Sequence, residues 1–204
     1  MIEPFVRHTG TAVPLAVDNV DTDQIIPAAY MKRLTRTGFA DGLFRRWRDR
    51  DPDFALNRPE FAGASILVAG ADFGIGSSRE HAVWALRDFG FRVVIAESLG
   101  DIFAVNATKN GLLAFTLDPD EIDGLRRAVS RHPATRITVD LDAQVVRHHD
   151  LARDIAFRFD PRDRYQLLHG LDDIALTLAK IDLVARYETR RRAWLPVTDM
   201  VGGG

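Results

Sequence analysis

Between Ser65 and Leu117 the chain alternates apolar runs with helically spaced ones, and no other feature narrows the fold as far. "SILVAG" (65–70) is a short apolar run closed by glycine, the pattern of a buried strand. A glycine-rich loop follows. From Arg79 to Phe89 apolar residues recur at 82, 85, 86 and 89, one face of a helix that Gly90 ends. "FRVVIAE" (91–97) reads as the next strand, 101–110 as a helix stopped at Gly111, and "LLAFTL" (112–117) as a third strand. Strand–helix alternation at this spacing predicts βαβ units and a parallel sheet.

Either side of this centre the signals change. Asp118 and Pro119 open a further helix. After it "TRITVDL", "AQVVRH" and "DIAFRF" alternate like half-buried antiparallel strands. An amphipathic helix within 171–195 then closes the chain, with Asp172 or Asp173 as N-cap and Ile174, Leu178 and Ile181 on one face. Near the N-terminus, Thr11–Val17 and Gln24–Pro27 read as extended pieces around the polar corner "DNVDTDQ". Residues 38–61 predict a long ordered surface excursion, anchored by Phe39, Leu43, Phe44, Trp47 and Phe54, with one helical turn at "LFRRW". The expectation is one α/β domain over 1–204, a mixed sheet with flanking helices. Its 204 residues are enough to bury roughly 70% of the unfolded surface.

Several functions are excluded by what the chain lacks. No apolar run approaches the length of a membrane span and "MIEPFVRHTG" is no signal peptide, so the cytoplasm is the default. A net charge of −2 recruits neither nucleic acid nor an acidic membrane. With no cysteine there is no disulfide, catalytic thiol or cluster held by this chain alone. His148 and His149 fall on a predicted strand, where neighbours face opposite sides, so no metal site is expected.

"GADFGIGSSREHA" (70–82) carries the chemistry. A loop between a strand and a helix N-terminus offers unpaired N–H groups and a partial positive charge to an anion. The loop lacks the lysine of a Walker phosphate cradle, the third glycine of a dinucleotide fingerprint, and the Gly-x-Ser-x-Gly of a hydrolase elbow. What remains is two hydroxyls and a guanidinium. Arg79 opposes the helix dipole, which points to a bound anion or a carboxylate neighbour, and its fork suits a carboxylate. Ser77 and Ser78 read equally well as plain helix caps. Glu80 reads as a dipole-offsetting residue, and His81 as a helix-surface or core histidine more than a site residue.

"DTDQIIP", "GADFGIGSSREHAVWAL", "DIFAVNATKNGLL", "GLDDIALTL" and "YETRRRAWL" occur in that order. Together they resemble the small subunits of 3-isopropylmalate dehydratase, the swivelling domain of the aconitase superfamily, over about 11–195. The resemblance implies half of a hydro-lyase acting on a small hydroxy-dicarboxylate in leucine biosynthesis. The other half is a large subunit that holds a [4Fe–4S] cluster. It implies Ser77 as the base, Ser78 in support and Arg79 on a substrate carboxylate. Asp23 would pair with a histidine across the subunit boundary, though on its residues alone it is equally an Asx-turn residue. "YMKRLTRT" (30–37) falls at the substrate-recognition loop, where Arg33 or Arg36 either reaches the second carboxylate or is simply solvated. Asn106, Lys109 and Gly111 would shape the floor behind the site. The alternatives are a sister enzyme for homoaconitate, citraconate or methylmalate, and a non-catalytic anion- or RNA-binding module. "RYETRRRAW" reads as a dipole-compatible surface rather than an RNA contact.

Overall fold

The computed structural model describes residues 2–194 apart from Ala152, Ala179 and Ala193. In chain order its elements are β1 (Arg7–Gly10), β2 (Ala12–Pro14), α1 (Thr22–Ile25), α2 (Arg45–Arg50), β3 (Ile66–Val68), α3 (Glu80–Phe89), β4 (Val93–Ala96), α4 (Asp101–Lys109), β5 (Leu113–Thr116), α5 (Pro119–Arg131), β6 (Ile137–Asp140), β7 (Val145–Arg147), β8 (Ile155–Ala156), α6 (Pro161–His169), α7 (Asp173–Leu178) and α8 (Ile181–Arg190).

The α/β class predicted from the alternation is the one found, with the strands divided between two sheets. Parallel β2, β3, β4 and β5 lie side by side in that order. Every residue of β3 and β4 is buried, as a parallel sheet covered on both faces requires. The antiparallel sheet runs β1-β6-β7-β8. Thr11 is the switch between them. It is the single residue separating β1 from β2, and its carbonyl accepts the N–H groups of Ser65 and Ile66 at the entrance to β3.

The excursion at 38–61 lies deeper than predicted. Phe39, Leu43 and Phe44 are fully buried and Phe54 nearly so. Phe44 stacks on Trp47 with ring centres 5.5 Å apart, and Phe54 meets both rings edge-on. The segment is a wall of the core, built from α2 and three 3-10 turns.

Three other expectations are corrected. Gln24–Pro27 does not begin extended, because Asp21 and Gln24 form a reciprocal capping box that winds 22–25 into α1. The C-terminal helix is two short helices, and Ile174, Leu178 and Ile181 are exposed rather than packed. Asp172 is the cap, its Oδ1 accepting the Ala175 N–H at 2.8 Å. β7 ends at Arg147, so His148 and His149 lie in the following turn with ring centres 4.8 Å apart. The tail beyond Trp194 lies outside the described residues.

Candidate functional site

The loop leaving β3 is strapped to the polar corner before α1. Asn19 N–H donates to Ala71 O, Gly74 N–H to Val20 O at 2.7 Å and Thr22 N–H to Ile75 O at 3.0 Å. Thr22 Oγ1 completes the strap with a 3.1 Å bond to Ser77 O. This path needs glycine at 74 and 76, where φ is +79° and +91°. At Gly74 the demand is doubled, since a Cβ there would stand 2.4 Å from the Phe103 side chain.

The loop delivers Ser77 and Ser78, both exposed, to the mouth of α3. Neither serine caps that helix. The N-cap position is Arg79, and no side-chain cap bond is made there. The capping alternative for the two hydroxyls therefore has no support in the geometry, and both remain open to a ligand.

Arg79 turns back toward the corner and forms an ion pair, Nη1 to Asp23 Oδ1. The guanidinium side chain is only 15% exposed and Asp23 41%. The hydrogen bond from Arg79, reinforced by its charge, holds the Asp23 carboxyl below its ordinary value against a small cost of burial. The Asx role proposed for Asp23 belongs instead to Asp21, whose Oδ1 accepts the Gln24 N–H at 2.7 Å. Asp21 makes the corner, and Asp23 is left to pair with Arg79.

Glu80 does more than offset the dipole, accepting Asn110 Nδ2 at 2.7 Å. Asn110 also accepts Trp84 Nε1 at 2.9 Å, bonds Asn106 O, and offers its carbonyl to Arg87. Sequence reading named its neighbours and missed Asn110. The detectable signal was its place just before Gly111, at the C-cap of α4. Lys109 reaches Asp173 at 3.0 Å. His81 is a packed ring, 5.4 Å from Phe39 and 4.6 Å from Trp84.

The recognition-loop arginines are not brought to the serines. Arg33 forks onto Asp41 with two 2.8 Å bonds and lies over the Tyr30 ring. Arg36 sits 6.0 Å above Trp84 and has no carboxylate partner among the described residues. Among the described residues, one group has metal-ligand spacing: His148, His149 and Asp150, with ligand atoms within 4.8 Å. It is already internally bonded, with Asp150 N–H on His148 Nδ1 and Asp150 Oδ1 2.9 Å from His149 Nε2.

Two family models match this chain. One is the aconitase C-terminal domain, over residues 2–120, and the other is the C-terminal domain of the 3-isopropylmalate dehydratase small subunit, over 173–200. The 3-isopropylmalate dehydratase small subunit of Acidothermus cellulolyticus is 59% identical, over 97% of this chain and 98% of its own. The chain belongs to that small-subunit family. The Thermobifida fusca member is 55% identical over 97% of this chain and 100% of its own. A solved 3-isopropylmalate dehydratase structure from Methanocaldococcus jannaschii aligns with a TM-score of 0.65 at 27% identity. The match spans 89% of this chain and 99% of that one, so the fold is the aconitase-type swivelling domain. No helix among the described residues is long and apolar enough to cross a membrane.

Proposed function

We propose that this chain is the small subunit of a two-chain hydro-lyase interconverting 2- and 3-isopropylmalate through 2-isopropylmaleate in leucine biosynthesis. Family membership along nearly the whole chain supports the reading. The observation that carries it in the structure is the uncapped pair of serine hydroxyls beside a guanidinium that Asp23 holds in place.

Arg79 has five N–H donors, and Asp23 contacts one nitrogen of the fork. The remaining donors bind a substrate carboxylate, with Ser78 donating alongside. Ser77 takes the proton from the carbon next to that carboxylate. The C–H electron pair becomes the C=C bond as hydroxide leaves the neighbouring carbon. Hydroxide then adds to the carbon that lost the proton, and Ser77 returns its proton to the carbon that lost the hydroxide. A serine hydroxyl is too weak an acid for this in water. The N–H groups of α3 and the Arg79 charge would favour its alkoxide, and exclusion of water by the partner would strengthen both contacts.

The family's [4Fe–4S] cluster is assigned to the large subunit. This chain does not fit such a group: it has no cysteine, and the loop offers hydroxyls and a guanidinium. No step above runs through it. The test is to combine the chain anaerobically with the large subunit and follow isopropylmaleate absorbance. Turnover is expected only with both chains. Turnover surviving Ser77→Ala and Arg79→Ala would remove the loop from the mechanism.

A further inference from the structure

The C-terminal half of α3 borders a second polar recess, distinct from the serine loop. It has a volume of about 330 Å³ and is lined by Arg36, Trp84, Arg87, Asp88, Arg92 and Asn110. Arg87 lies eight residues beyond Arg79 on the same helix, about 12 Å along its axis at the usual rise per residue.

Three guanidinium groups converge here with too few carboxylates to match them. Arg36 has none among the described residues. Arg92 is paired with Glu3 at 2.9 Å, and that carboxylate is 68% exposed at the outer edge. Asp88 is already engaged, its Oδ2 accepting the Phe39 N–H at 2.8 Å. Arg87 is half-buried, and its guanidinium donates to the Asn110 carbonyl. Burial first, and then the charge of Arg92, disfavours its cationic form, with Glu3 and Asp88 opposing. Asp88 and Glu3 offset two of the three positive charges, and a bound anion would offset the third. The wall opposite is the Trp84 indole, whose N–H is fixed on Asn110 Oδ1.

We propose that this recess binds a small oxyanion, a carboxylate or phosphate group, held between Arg36, Arg87 and Arg92. The planar forks suit either group. The position has a consequence for the loop at 30–37. Arg36 belongs to that loop and Arg87 to α3, so a bound oxyanion ties the loop to the helix. Asn110 carries the connection on to Glu80, the residue after Arg79. The binding does not rest on the functional reading above.

The test therefore uses the whole chain by itself. Trp84 is one of three tryptophans, and its indole N–H resonance in a ¹⁵N spectrum is identified by its loss in Trp84→Phe. Inorganic phosphate and malate are titrated separately at constant ionic strength, with chloride as the balance. A saturable shift of the Trp84 resonance is expected, with a Kd on the order of 1 mM for the preferred anion. Arg36→Ala, an exposed loop change, should weaken it about tenfold. Arg92→Gln should weaken it as well. The anion that saturates first distinguishes a phosphate site from a carboxylate site. A shift that chloride reproduces, one that never saturates, or one unchanged in Arg36→Ala but lost in Arg79→Ala would overturn the proposal. The last of these would place the anion at the serine loop instead.

Discussion

Asp23 holds the guanidinium of Arg79 in an ion pair, joining the first turn of α1 to the N-cap of α3. The pair orients Arg79 before any ligand arrives, and that pre-organisation is its main use. Half-exposed ion pairs contribute under about 1 kcal/mol to stability. Asp23→Asn should therefore leave the urea midpoint nearly unchanged while lowering kcat/KM of the assembled enzyme by about 10- to 100-fold. A large loss of stability with activity retained would show Asp23 to be a structural residue only.

Gly74 makes a sharper structural prediction. Its left-handed backbone and the 2.4 Å approach of the Phe103 side chain both exclude a Cβ. Gly74→Ala should destabilise the chain by about 2–4 kcal/mol, read from urea unfolding. Gly63 also has positive φ but faces open space, so Gly63→Ala should cost only the backbone strain, about 1–2 kcal/mol.

The same two segments show what was legible in the sequence. The strand, glycine loop and α3 were readable because each is specified within a dozen residues by periodicity and glycine. The role of Asp23 was not, because its partner lies on another segment and Asp21 offers the same local chemistry. β1 was missed for a related reason: it pairs with β6, whose Asp140 faces Arg7 from 133 residues further along the chain. α6 was missed despite an Asp160–Pro161 start and a Gly170 stop that are local and readable. The adjacent histidines were misplaced because alternation cannot show that β7 stops at Arg147. Arg33 and Arg36 looked equivalent until Asp41 was seen to occupy one of them.

Asn110 gathers Glu80, Trp84, Asn106 and Arg87 around one side chain and its carbonyl. Asn110→Ala keeps the carbonyl bond but strands the Trp84 N–H and frees Glu80. A loss of about 1–3 kcal/mol is expected in thermal or urea unfolding. Asn110→Asp keeps an acceptor for Trp84 and sets a carboxylate against Glu80, so it should not restore stability. Full recovery in Asn110→Asp would mean that the Glu80 bond contributes nothing.

Acid should weaken the fold through His148. Its imidazole is 7% exposed, and burial, followed by the charge of His149, holds its pKa below 6.5, with Asp150 opposing. The unfolded chain then binds the proton more readily than the folded one. Stability is complete above about pH 6.5 and falls as pH drops from there toward the lower folded value, by at most about 1.4 kcal/mol per pH unit for one proton. His8 is shifted in the same direction by burial and by Arg92 and Arg136, and adds to the slope. His148→Asn can still accept the Asp150 N–H and should flatten part of the acid limb between about pH 6.5 and 5. An unchanged limb would exclude His148 as its source.

The last prediction concerns α7 and α8. Ile174, Leu178, Ile181, Leu183 and Tyr187 are each more than half exposed, on short helices that would not persist alone in water. This stretch matches the C-terminal domain model of the small subunit, and we expect the large subunit to cover it. Replacing exposed side chains should cost the isolated chain little, within about 0.5 kcal/mol. The double variant Leu178→Ser, Leu183→Ser should therefore unfold like the parent but bind the large subunit at least about tenfold more weakly in titration calorimetry. The parent alone should self-associate in size-exclusion chromatography and become a defined heterodimer when the large subunit is added. Parent-like affinity in the double variant would remove these helices from the interface.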